Sequence, residues 1–155
     1  MEFRTKVNIP HSEVSISHQD NILAFGSCFS ENIGNFLINN KFNINSNPFG
    51  ILYNPISISQ AIKILIEEKQ FTEKDLFFYN GLYHSFWHHG DFSSTDRETC
   101  LNLINSSLKT ASSDIREANS LIITFGTSYV FRFKELNTVV GNCHKIPASN
   151  FDRYR

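Results

Sequence analysis

A chain of 155 residues makes one domain, or part of one, and is long enough to bury a sizeable core without a disulfide or metal. Its 14 basic and 15 acidic residues leave a net charge of −1, which gives no electrostatic case for nucleic acid or an anionic membrane. No segment approaches the ~20 apolar residues of a membrane span, and the polar start Met1-Glu2-Phe3-Arg4-Thr5-Lys6 lacks a signal-peptide core, so a cytoplasmic protein is expected.

Cys28, Cys100 and Cys143 form no CxxC pair and are read as thiols, either buried filler or reactive groups. Fifteen phenylalanines favour an aromatic-rich core over a disordered chain.

In chain order, residues 1–20 read as an edge strand or arm. Asn21-Ile22-Leu23-Ala24-Phe25 is a short apolar run ending at Gly26, which suits a buried strand. Phe29, Ile33, Phe36 and Leu37 fall on one face of a helix that ends at Asn39-Asn40. A second strand is expected near 41–45, then the loop Asn47-Pro48-Phe49-Gly50. Pro55 suits a helix start, Ser57 and Gln60 read as a capping box, and Ile58, Ala61, Ile62, Leu65 and Ile66 line a face.

Asn80-Gly81 between aromatic runs predicts a two-residue hairpin over 77–84. The segment Phe86–Phe92 reads as a mobile aromatic loop whose histidines are solvated. Thr95 with Glu98 reads as a capping box for a long helix through Ala118. Leu121-Ile122-Ile123-Thr124-Phe125 predicts a buried strand, and 129–134 with 137–141 a hairpin. The end, Phe151-Asp152-Arg153-Tyr154-Arg155, shows neither helix nor strand pattern. The order is that of a doubly wound α/β domain with a parallel sheet.

The turn Gly26-Ser27-Cys28 stands where a strand hands over to a helix. In open α/β sheets ligands bind at that edge, and a thiol at a helix N-terminus is favoured as the nucleophilic thiolate. Three readings stay open: ordinary capping by Ser27 with Cys28 as a small hydrophobe, an anion site, or a nucleophile. His84, His88 and His89 with Asp91 lack metal-site spacing. His144 follows an apparent strand end beside Cys143.

Gly26-Ser27-Cys28-Phe29-Ser30, the stretch Asn47-Pro48-Phe49-Gly50-Ile51-Leu52-Tyr53-Asn54-Pro55, Thr124-Phe125-Gly126-Thr127 and Asn142-Cys143-His144-Lys145 together resemble the bacterial GSCFA-domain family. The first motif ends in serine where that name has alanine. The resemblance implies kinship with SGNH/GDSL hydrolases: a three-layer, flavodoxin-like parallel sheet, of which residues 1–155 look like the N-terminal portion, truncated at the C-terminus. It implies an acyl-ester hydrolase or acyltransferase for a small or carbohydrate-linked ester; no cofactor, metal, nucleic acid or membrane partner is expected. The alternative is a non-catalytic anion- or glycan-binding module using the same cleft.

Registering Gly26 on the GDSL glycine places Cys28 at the nucleophile, with Ser27 as cap or alternative nucleophile. Gly50 falls where an oxyanion-hole N–H is supplied. Ser128 falls where an oxyanion-binding asparagine is expected, and Asn142 is a possible substitute for that amide. No DxxH follows Gly126, so the resemblance puts the catalytic histidine and acid outside these residues.

Overall fold

The computed structural model describes residues 3, 5–141 and 145–155. Its elements run β1 (Asn21–Phe25), α1 (Cys28–Asn39), β2 (Asn43–Ser46), α2 (Pro55–Ile66), β3 (Phe77–Tyr79), β4 (Leu82–His84), α3 (Arg97–Glu117), β5 (Ser120–Ile123), β6 (Val130–Phe133), β7 (Thr138–Val140) and β8 (Phe151–Tyr154). β2, β1 and β5 form a parallel sheet in that order, β3 and β4 a hairpin, and β7, β6 and β8 an antiparallel sheet. The α/β class read from the sequence holds, with a three-stranded parallel sheet at its centre.

Alternation along β1 divides the packing. Leu23 and Phe25 are 0% and 1% exposed and sit in one cluster with Ile58, Ala61 and Leu65 of α2 and Cys100, Ile104 and Leu108 of α3. Ala24 stands in register with Ser46 on the other face, which is where α1 packs. A Cβ on Gly34 would come within 2.5 Å of Ser46 Oγ, so the glycine lets α1 lie directly on the sheet. Contrary to the expected apolar face, α1 buries Ser30 and Gly34, while Phe29 and Phe36 stand 60% and 63% exposed. Close backbone approach, rather than side-chain bulk, decides which side of α1 is inside.

The predicted hairpin forms, with Asn80 and Gly81 at φ 49 and 80, the left-handed pair that a two-residue turn requires. Four expectations are corrected. α2 is capped by Asn54, whose Oδ1 accepts from Ser57 N–H at 2.9 Å, because Pro55 occupies the first helical position. α3 is capped by Asp96 on Thr99 N–H, one residue after Thr95. β5 is an outer strand: Leu121 and Ile123, in register with Leu23 and Phe25, are half-exposed because α3 packs over β1. The end of the chain does form a strand, β8, because β6 offers it a pairing edge and Phe151 closes over Phe133 and Val140. Among the described residues, 1–20 carry no strand and lie exposed as an arm.

Candidate functional site

Because β1, β2 and β5 are parallel, the loops leaving their carboxyl ends meet at one edge. They meet through hydrogen bonds to backbone. Gly26 N–H donates to Asn47 Oδ1 at 2.8 Å, Asn47 N–H to Ala24 O at 2.8 Å, and Leu52 N–H to Gly26 O at 2.9 Å. Tyr53 O accepts from Gly126 and Thr127 N–H at 2.8 and 3.1 Å. Ser27 N–H donates to Thr124 Oγ1 at 3.3 Å.

Two glycines are obligatory here. A Cβ on Gly26, at φ 149, would stand 2.1 Å from Thr124 Oγ1 and 2.4 Å from Thr124 O. On Gly50, at φ 75, it would stand 2.2 Å from His89 Cβ. Three motif loops far apart in sequence are thus drawn into one junction.

Ser27 is the N-cap of α1, its Oγ accepting from Phe29 N–H at 3.3 Å. Cys28 is the first helical residue and is exposed. Its N–H is one of the first-turn amides that no intrahelical carbonyl reaches. The N–H of Gly50 is committed to Asn47 O at 2.6 Å, closing a tight turn. Asn47 Nδ2, by contrast, is buried with no acceptor, an orphan donor at the junction. Ser128 is exposed, and its Oγ accepts from Arg155 Nε at 2.9 Å, which leaves the hydroxyl proton free to donate. Asn142 and His144, the other candidates, lie outside the described residues.

The histidine-rich strap departs most from expectation. His84 and His88 are buried, not solvated. His88 is stacked on Phe49 at 4.8 Å and edge-on to Phe71 at 4.9 Å, with Nδ1 3.0 Å from Ser85 Oγ and Nε2 unpartnered. Burial, with Lys145 and Lys69 adding repulsion, pushes its pKa down to about 3, so it is neutral at pH 7. Burial lowers His84 in the same direction. Lys145 Nζ donates to the carbonyls of Ser85 and His88, each at 2.5 Å, and its own desolvation lowers its pKa to about 8. Cys100, fully buried, has its thiol pKa raised by the same cause.

His89 is the residue the sequence reading undervalued. Its N–H donates to Phe49 O at 2.8 Å, its Cβ lies against Gly50, and its Nδ1 is 2.9 Å from Asp91 Oδ2. A carboxylate at Nδ1 fixes that nitrogen as the donor and leaves Nε2 as the basic one. The signal was the local His-x-Asp spacing together with a glycine that must be approached closely. No hydrogen bond joins His89 to Cys28 among the described residues. Nor do any three His, Cys, Asp or Glu side chains gather as metal ligands among them. A groove of about 670 Å³ lies elsewhere, against Asn21, Asn43, Asn45 and Asp114, and holds none of the candidate residues.

The junction is built from three of the quoted motif stretches, and a model of the GSCFA family matches residues 21–155. The chain belongs to the GSCFA family. The match takes in both the parallel sheet and the antiparallel sheet, so the family unit includes β6–β8 as well as the junction. Comparison with curated proteins and with solved structures returns no match. No helix among the described residues is long and apolar enough to cross a membrane.

Proposed function

We propose that the junction is an acyl-transfer site of SGNH type, hydrolysing or transferring the acyl group of a small or carbohydrate-linked ester, within a three-layer flavodoxin-like architecture. One observation carries the reading: Cys28 stands exposed at the first turn of α1, at the edge where the loops of all three parallel strands converge. In this scheme the Cys28 thiol proton passes to His89, oriented by Asp91 and standing in for the histidine and acid that the resemblance puts outside these residues, and the thiolate attacks the ester carbonyl. The tetrahedral oxyanion is held by Cys28 N–H and the Ser128 hydroxyl.

Collapse of that intermediate breaks the C–O bond, and the leaving alkoxide takes its proton back from His89. Water or an acceptor hydroxyl then attacks the thioester, releasing the acyl group and restoring the thiol. Gly50 supports the geometry of the turn rather than the oxyanion, since its N–H is already used. A non-catalytic module for anions or glycans is the second reading, favoured by two arginines near Ser128 that pair with no carboxylate among the described residues.

Intact-mass analysis after exposure to p-nitrophenyl acetate tests the scheme. One acetyl group per chain is expected, mapped to Cys28, absent in Cys28→Ala and formed at least about tenfold more slowly in His89→Ala. An adduct that persists in Cys28→Ala, or no adduct at all, overturns it.

A further inference from the structure

The antiparallel sheet carries a row of side chains whose character changes along its length. Register pairs Phe133 with Phe151 and Phe131 with Arg153, so Tyr129, Phe131 and Phe133 share a face with Phe151, Arg153 and Arg155. At one end Phe133 and Phe151 are buried, each 7% exposed, in the second core cluster. At the other end the row leaves the core at Tyr129, beside the loop Gly126–Ser128.

There the row turns cationic. Arg153 Cζ lies 3.8 Å from the centre of the Tyr129 ring, a stacked arrangement, and Arg155 Cζ lies 5.8 Å from the same ring. Stacking occupies the face of a guanidinium and leaves its in-plane N–H fork free, the geometry that accepts a carboxylate or phosphate bidentately. No carboxylate among the described residues pairs with either arginine. The acid of β8, Asp152, points to the opposite face, where Arg132 and Lys134 approach it at 3.7 and 3.8 Å.

Two like charges around one ring repel each other, and covering Tyr129 needs only Arg153. Arg155 instead donates its Nε–H to Ser128 Oγ, the hydroxyl placed at the acyl-transfer site. The same loop reaches back to the nucleophile turn, since a Cβ on Gly126 would lie 3.5 Å from Ser27 Cβ. Two further residues of chain span roughly 7 Å, within the length of an ester substrate.

We infer that the ester taken by this site carries an oxyanion, carboxylate or phosphoryl, on its non-reacting side, and that Arg153 and Arg155 hold it. This rests on the acyl-transfer reading for the position of the reacting carbonyl. It does not rest on that reading for the anion site, and two measurements separate them.

The first follows the Nε–Hε resonances of Arg153 and Arg155 by NMR as succinate or inorganic phosphate is added to the whole chain. Saturable shifts of both at millimolar concentration are expected, lost in Arg153→Gln and retained in Arg97→Gln, whose partner Glu73 belongs to another surface. The anion that saturates at the lower concentration identifies the headgroup. Unsaturable or absent shifts overturn the inference.

The second compares Cys28 acylation by p-nitrophenyl acetate and by mono-p-nitrophenyl succinate. The anionic ester is expected to react at least tenfold faster, and that ratio to fall toward one in Arg153→Gln. Arg153→Lys, which keeps the charge but loses the planar fork, is expected to lose most of it, guarding against a variant that misfolds. Equal rates in the native chain overturn the inference. Saturable binding with no acylation by either ester retains the anion site and overturns the nucleophile assignment instead.

Discussion

The junction around Gly26 and the strap from His84 to Phe92 are both polar, and they handle polarity in opposite ways. At the junction nearly every donor meets a backbone, amide or hydroxyl acceptor, through Asn47, Tyr53 and Thr124, and no titratable side chain is part of the hydrogen-bonded frame. In the strap, two histidines are sunk among phenylalanine rings, Lys145 is drawn onto two of its carbonyls, and one ring nitrogen has no partner. The first region specifies geometry by excluding side chains and is indifferent to pH. The second stores an electrostatic cost that depends on pH, as buried ionisable groups do.

The largest effect expected from breaking this contrast is at Gly26. Gly26→Ala forces a Cβ into Thr124 O and Oγ1, so a loss of at least ~3 kcal/mol is expected from overpacking plus backbone strain. Gly81→Ala, with a positive φ but open space around it, should cost only ~1–2 kcal/mol. Urea unfolding of both variants measures the difference, and equal losses would mean that the junction is no tighter than a surface turn.

The strap should respond to acid instead. An unfolded histidine binds its proton near 6.5, whereas folded His88 does so near 3. Between those values the unfolded chain holds more protons, so stability falls as pH drops and is fully present above about 6.5. The slope from this one group approaches about 1.4 kcal/mol per pH unit. Unfolding midpoints from pH 7 to pH 4 should show it, and His88→Phe should flatten it, leaving the smaller contribution of His84 in the same direction.

The smallest effect sharpens the comparison from within the junction. Ser27→Ala removes one cap and should cost about 1 kcal/mol, read as a modest fall in Tm with Cys28 acylation retained. A loss of acylation in Ser27→Ala greater than the loss of folded protein would give Ser27 a chemical part.

The parallel sheet, both predicted hairpins and the three helices were legible because each has a period or a turn dipeptide of its own. β8 was not, since a four-residue strand with one buried apolar side chain is defined by its partner β6 and not by local pattern. Ser27 caps α1 as read, whereas the caps of α2 and α3 lie one or more residues from Ser57 and Thr95, which offer plausible local chemistry. Pro55, which requires the cap to precede it, was the better guide in α2.

At the site, the motifs named the loops, but hydrogen-bond commitment is a property of three dimensions. Nothing in the sequence reveals that the Gly50 N–H is spent on Asn47, or that His88 rather than His89 is the buried one of the pair.

Asn47 serves both neighbouring glycines, through its side chain to Gly26 and through its carbonyl to Gly50. Asparagine ages by attack of the following residue's backbone nitrogen on the side-chain amide, giving a succinimide and then aspartate or isoaspartate. The residue after Asn47 is Pro48, which has no N–H to begin that reaction. The amide that ties the two loops is therefore shielded from spontaneous deamidation by its neighbour. The exposed Asn80-Gly81 turn has no such protection, so chemical ageing of the chain should mark the hairpin tip before it reaches the junction.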